Sequence, residues 1–149
     1  MKLMMSVCGI IAALTIVYMA AGQDKDDAKK DLDKMQGSWR VVSWQMADEK
    51  KSMDELKKYK VTVKGNTLIY ETGKERKAGE GEGTIKLDPK TKAFDWTLTD
   101  LGANMLAIYE LKGDDLKIGF GNDGLIRPTR FAFGKEQVVW LLVLKRVKP

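Results

Sequence analysis

From Trp39 to Lys145 the chain is a succession of short β-forming runs separated by turn signals, and no long helical pattern interrupts it. Trp39–Trp44 is rich in β-formers. Val61–Lys64 and Thr67–Glu71 flank Gly65-Asn66, a two-residue hairpin turn. Thr84–Leu87 precedes Asp88-Pro89-Lys90-Thr91, a turn by its proline. Ala93–Thr99 alternates, with Phe94, Trp96 and Leu98 on one face and Asp95, Thr97 and Thr99 on the other. Leu106–Leu111 and Leu116–Phe120 flank Lys112-Gly113-Asp114-Asp115. Arg130–Phe133 and Gln137–Lys145 flank Gly134-Lys135-Glu136. Eight or nine strands at hairpin spacing predict an all-β antiparallel fold, a sandwich or a barrel. Helices do not alternate with strands, so a parallel α/β sheet is disfavoured.

Two short helices are expected beside the strands. Residues 23–36 carry Ala28, Leu32 and Met35 on one stripe among Asp and Lys, and Gly37 ends the pattern. Ser52 and Glu55 have capping-box spacing and start a second helix that carries Leu56 and Tyr59. The last strand is apolar on both faces: Val138, Trp140, Leu142 and Leu144 on one, Val139, Leu141 and Val143 on the other. Such a strand is covered on both sides. The expectation is that one face points inward and the N-terminal helix covers the other through Leu32 and Met35.

The first 22 residues read as a secretory signal peptide. Lys2 gives a positive start, Val7–Tyr18 is almost wholly apolar, and Ala20, Ala21 and Gly22 precede an abruptly charged stretch from Gln23. The apolar run is short of the ~20 residues that spanning needs. Cleavage before Gln23 is expected, leaving no stable membrane anchor and a periplasmic or extracellular protein. Cys8 follows Val7 and precedes most of the apolar run, a poor lipobox, so it is expected to leave with the signal. Residues 37–149 then form the one domain that a 149-residue chain supports.

Cys8 is the sole cysteine and histidine is absent. The processed chain therefore lacks disulfides, Cys/His zinc sites, thiol nucleophiles and histidine bases. Net charge is +5, mildly basic, with Lys interspersed among Asp and Glu. The cluster Lys57, Lys58, Lys60, Lys64, Lys74, Arg76 and Lys77 reads as guarded strand edges rather than a nucleic-acid surface. Gly119–Gly124 matches G-x-G-x-x-G to the letter, but Leu125-Ile126-Arg127-Pro128 cannot open the helix that such a phosphate loop requires. Ala78–Gly83 reads as a mobile loop or the edge of a barrel mouth. Asn122, Asp123, Asp114 and Asp115 lack calcium-loop spacing, and Ser38, Ser43 and Ser52 sit in no nucleophile motif. No metal, cofactor or catalytic residue is assigned.

Ala107-Ile108-Tyr109-Glu110-Leu111-Lys112-Gly113-Asp114-Asp115-Leu116-Lys117-Ile118 resembles the central signature of a lipocalin-like domain of unknown function found in exported planctomycete proteins. Met35-Gln36-Gly37-Ser38-Trp39, Arg127-Pro128-Thr129 with Phe131, and Leu142-Val143-Leu144-Lys145-Arg146 also resemble it, in the expected order. Gly119 stands where the family pattern has a Cys. The resemblance implies a small antiparallel lipocalin-like β-barrel. It also implies a structural closure in which Trp39, of the G-x-W motif, packs under Arg146.

A barrel of about eight strands holds side chains alone or one small ligand. The functional expectation is an exported binding module for a small apolar or amphipathic molecule. The alternative is an envelope interaction or structural protein with a filled barrel. Candidate ligand-binding residues are Trp96, Tyr109, Glu110, Ile118, Phe120, Arg127 and Trp140. Their inward direction depends on register, which a slip of one residue reverses. Tyr109, Glu110 and Arg127 are also the one cluster in which an enzyme's chemistry would be sought.

Overall fold

The period-two runs become strands, and the turn dipeptides between them become hairpins. The computed structural model describes residues 14–122 and 125–149. Helix α1 (Leu14–Met35) leads into β1 (Gly37–Met46) and the two-residue β2 (Glu49–Lys50). Helix α2 (Met53–Leu56) follows, with the Ser52–Glu55 capping box formed in both directions. Then come β3 (Lys60–Lys64), β4 (Thr67–Glu71), β5 (Glu82–Asp88), β6 (Ala93–Leu98), β7 (Asn104–Lys112), β8 (Asp115–Phe120) and β9 (Trp140–Arg146).

Each strand pairs antiparallel with its neighbour, and β9 returns to pair with β1, which closes an eight-stranded barrel. Closure removes the free sheet edges that an open sheet would expose. The ninth strand, β2, adds a short ladder to the far end of β1 through Gln45↔Lys50 and Met46↔Glu49. The runs left an all-β sandwich or barrel open, and the observed fold is the barrel.

One irregularity sets which β1 residues face inward. The β1–β9 register slips between Val41 and Ser43, a bulge at Val42. Strict alternation from Trp39 and Val41 would send Ser43 inside. The extra residue sends Trp44 inside instead, and Trp44 is buried while Ser43 is exposed. The interior is filled by Trp39, Val61, Val63, Leu68, Ile85, Phe94, Tyr109, Leu116, Ile118, Phe120, Leu142 and Leu144. Burying each aliphatic or Phe side chain is worth about 1.5–3 kcal/mol.

Three expectations are corrected. The N-terminal helix does not start near residue 23. It runs from Leu14, through Leu, Ala and Met residues of good helix propensity. The first part of the expected signal peptide, residues 1–13, lies outside the described residues. No described helix is long and apolar enough to cross a membrane.

The helix also does not cover the outer face of the last strand. It lies across one end of the barrel. Met35 is fully buried and Leu32 packs on the core. The Gln36 side chain bonds to both the N–H and the carbonyl of Gly65 in the β3–β4 turn. Asp24 pairs with Lys90 in the β5–β6 turn at 2.8 Å. The Tyr109 hydroxyl donates to Asp31 at 2.6 Å. These contacts plug the end where β1 begins and β9 finishes.

The expected hairpin of Arg130–Phe133 with Gln137–Lys145 is absent. Phe133 and Val138 make only an isolated parallel bridge. Strand β8 pairs directly with β9, from Phe120↔Trp140 to Asp115↔Lys145, and the described residues between them, 121–122 and 125–139, form an excursion off the barrel ladder. Pro128, which cannot donate to a ladder, is buried within this excursion. The glycine pair of the G-x-G match serves packing. A Cβ at Gly121 would lie 1.7 Å from the Ile126 carbonyl oxygen, and one at Gly119 would lie 2.7 Å from Val138 and 3.1 Å from Phe131. The excursion thus lies against the outer face of β8 at Gly119, the residue paired with Leu141.

Candidate functional site

The end opposite α1 is open, and the strand ends there build a cup of about 430 Å³. Strand β4 supplies Tyr70, β6 supplies Trp96 and Leu98, β7 supplies Met105, and β9 supplies Trp140. The rim comes from the β4–β5 connection with Lys74, Glu75, Arg76 and Glu80, and from the β6–β7 turn with Asp100 and Leu101. The Gly-rich stretch around Gly79–Gly83, read from sequence as a barrel-mouth edge, borders this cup.

Below the cup the barrel is solid with rings. Trp140 stacks on Phe120 with centroids 4.6 Å apart and planes at 20°. Tyr70 meets Trp140 edge-on at 5.6 Å, and Trp96 tilts against Phe120 at 6.1 Å. Phe94 then links Phe120 to Tyr109, at 6.3 and 6.4 Å. Edge-to-face and offset contacts of this kind add about 0.5–1.5 kcal/mol each beyond area burial. They also bar a ligand from the lower barrel.

Two polar atoms in the cup stand out. The indole nitrogens of Trp96 and Trp140 are buried and have no hydrogen-bond partner among the described residues. Buried indole N–H groups usually find one. The two rings are themselves 3% and 8% exposed, and neither nitrogen is open to solvent from the cup. Trp96 owes its position to Gly83: a Cβ there would lie 2.7 Å from the indole nitrogen and 2.2 Å from the Thr97 carbonyl oxygen. By contrast the Trp39 indole donates to the Met35 carbonyl at 2.9 Å. Burial pushes the Tyr70 hydroxyl well above the ordinary tyrosine range, reinforced by the neighbouring Tyr59.

The chain matches no protein-family model, no curated protein and no solved structure.

The residues proposed from sequence separate into three places. Trp96 and Trp140 line the cup. Phe120 forms the layer beneath, and Ile118 and Tyr109 lie in the packed interior, each 1% exposed. Burial and the hydrogen bond to Asp31 raise the Tyr109 hydroxyl far above its ordinary value. Glu110 and Arg127 lie outside the barrel. Glu110 pairs with Lys112 at 3.3 Å on the surface. Arg127 reaches Asp95 at 2.6 Å and donates to the Ala107 carbonyl at 2.8 Å, fastening the 121–139 excursion to the outer wall. Tyr109, Glu110 and Arg127 therefore do not converge on one site. Tyr70, Leu98 and Met105 were not among the sequence candidates. Tyr70 carried a signal, an aromatic at the end of a strand entering a glycine-rich mouth.

A second groove of about 540 Å³ lies between α1 and β5, lined by the apolar Leu32, Ile85 and Leu87 and by the charged Asp24, Lys25, Lys29, Lys86, Asp88 and Lys90. None of the unpartnered buried side-chain atoms belongs to it.

Proposed function

We propose that this protein is an exported, lipocalin-like binding module that holds a small apolar or amphipathic molecule in the open-end cup. The carrying observation is the open-end cup itself, about 430 Å³ and walled by Tyr70, Trp96, Leu98, Met105 and Trp140. The cup's volume supports the reading, since small-molecule sites occupy roughly 300–1,000 Å³. The family resemblance and the signal-like N-terminus support export. No catalytic residue enters this reading.

Native mass spectrometry on the protein purified from its own host tests it. A reproducible excess mass released on denaturation is the expected result. A start at Gln23 in the same spectrum would agree with signal cleavage. A clean protein mass would sink the carrier reading and favour the second one, an envelope interaction module. The observation behind that alternative is the ring-filled lower barrel. It calls for a mass that rises with protein concentration or on adding a partner.

A further inference from the structure

We infer that the groove between α1 and β5 binds a single-chain carboxylate of fatty-acid type, its tail on the apolar floor and its head among the rim lysines. The groove shares no lining residue with the cup and stands whether or not the cup is filled. Its floor comes from two sides. Ala28 and Leu32 lie one turn apart on α1 and are only half-buried, whereas Met35 on the same stripe is fully buried. Facing them are Ile85 and Leu87, from the core-facing side of β5. Helix α1 therefore seals the barrel end at Met35 and stands off from β5 further back, leaving about 540 Å³ between them. From Asp24 to Leu32 the helix offers about 12 Å of wall, a length that suits an extended alkyl chain. Covering apolar surface of this kind is favourable.

The head group follows from the rim charges. Asp24 is held by Lys90 at 2.8 Å, and Asp88 accepts from the Lys90 backbone N–H at 3.0 Å within its own turn. Lys25, Lys29 and Lys86 are exposed and make no ion pair among the described residues. Asp26 and Asp33 sit at helical spacing from Lys29, yet neither pairs with it. Asp95, opposite Lys86 on the ladder, is taken by Arg127 at 2.6 Å. Lys25 and Lys29 are i,i+4 neighbours, and like charges at that spacing repel. A carboxylate between them relieves the repulsion while its chain covers the floor. The expected cleavage before Gln23 removes no lining residue and adds an α-ammonium beside Asp24. Lysines act as point charges, and no arginine fork of the kind that grips phosphate lines the groove among the described residues. The head is therefore a carboxylate.

Decanoate, decanol and decyltrimethylammonium share one tail and differ in head charge. Each is titrated, below its micelle concentration, into the full-length processed protein labelled with ¹⁵N. The backbone amides of Ala28, Leu32, Ile85 and Leu87 report the groove, and the Trp96 and Trp140 indoles report the cup. The expected result is a decanoate response at the groove amides, weakened by added salt. Octanoate, two methylene groups shorter, should bind roughly tenfold more weakly. Lys29→Gln with Lys86→Gln should weaken decanoate about threefold to tenfold, the worth of two exposed ion pairs, and leave decanol unchanged. Ala28→Trp fills the floor from a half-buried helix position and should abolish the groove response. If that variant misfolds, the exposed lysine pair still carries the test. Equal binding of decanoate and decanol, or tighter binding of the cation, would overturn the anionic head. Tighter binding of decyl phosphate would overturn the carboxylate. A response confined to the two indoles would put the amphiphile in the cup and overturn the groove site. Shifts at the groove amides on concentrating the protein alone would make a second copy the occupant and overturn it too. Groove amides silent at millimolar decanoate would end the proposal and leave the cup reading untouched.

Discussion

The guanidinium carbon of Arg146 sits 4.3 Å from the centroid of the Trp39 indole ring. The same guanidinium bonds Asp114 at 3.1 Å, the Gln36 carbonyl at 2.8 Å and the Lys34 carbonyl. The first strand, the last strand, the β7–β8 turn and the end of α1 therefore meet at one side chain. Trp39 and Arg146 are also directly paired across the β1–β9 seam.

Arg146→Ala is expected to destabilise the fold by about 2–4 kcal/mol, combining a cation–π contact with charge-assisted hydrogen bonds. Arg146→Lys should recover only part, because an ammonium lacks the planar fork that serves ring and carbonyls together. Urea denaturation monitored by tryptophan fluorescence measures both. Near-equal stability of the Lys variant and the parent would mean that the stack and fork contribute little.

The same corner predicts acid sensitivity. Lys148 first, then Arg146, holds the Asp114 carboxyl below its ordinary range. A lowered carboxylate stabilises the folded state above the unfolded value of about 3.9, and that stabilisation is lost as pH falls through the lower folded value. Asp114→Asn should therefore destabilise at pH 6 and make little difference near pH 2. An unchanged gap between the two pH values would remove Asp114 from the account.

Base acts on two other residues. Burial raises both Tyr70 and Tyr109, and Asp31 adds to the effect on Tyr109. The unfolded chain releases these protons near pH 10 while the folded protein keeps them. Stability is therefore complete below that value and falls as pH rises beyond it. Tyr109→Phe should be less stable at neutral pH by about 1–3 kcal/mol, having lost a hydrogen bond to a carboxylate. It should also fall less steeply above pH 10. Identical slopes for parent and variant would show that Tyr109 does not drive the alkaline transition.

The cup can be perturbed from its backbone. Gly83→Ala would place a Cβ 2.2 Å from the Thr97 carbonyl oxygen and 2.7 Å from the Trp96 indole nitrogen. The expected cost is about 1–3 kcal/mol, the range for overpacking. The Trp96 indole resonance should move as the ring is pushed off the β5 wall. An unmoved resonance would mean that the ring does not rest on Gly83.

What the sequence made legible was local. The alternation of Phe94, Trp96 and Leu98 gave the inner face of β6 correctly, because period two is dictated by the pleat. The Ser52–Glu55 spacing gave α2, because the cap is closed within four residues. The failures are all non-local. Trp44 points inward only because a bulge at Val42 shifts phase, and no local residue type announces that bulge. The run Arg130–Phe133 has β-forming residues, yet β9 finds a better partner in β8. Helix α1 docks on a barrel end that exists only after closure. The cup was half legible: Trp96 and Trp140 were named, but Glu110 and Arg127 point outward from the same strands and loops. Aromatic content marks a wall, and only register says which side of it a neighbour occupies.

Gly119 lies at a crowded point of β8, and its surroundings say what a side chain there would do. It faces outward between the inward-facing Ile118 and Phe120, yet it is buried, because the returning segment lies on it. Gly119→Ala meets Val138 at 2.7 Å and Phe131 at 3.1 Å, and should cost about 1–3 kcal/mol. Val138→Ala alone should also destabilise by about 1–3 kcal/mol, through the space it leaves. Together the two should cost less than their sum by about 0.5–3 kcal/mol, since the new methyl fills room that the valine vacates. Denaturant curves on the two single variants and the double variant give that difference. A positive coupling places Phe131 and Val138 of the returning segment firmly against β8. Strict additivity would mean that Val138 yields freely, and the excursion would be held by Arg127 and Pro128 instead.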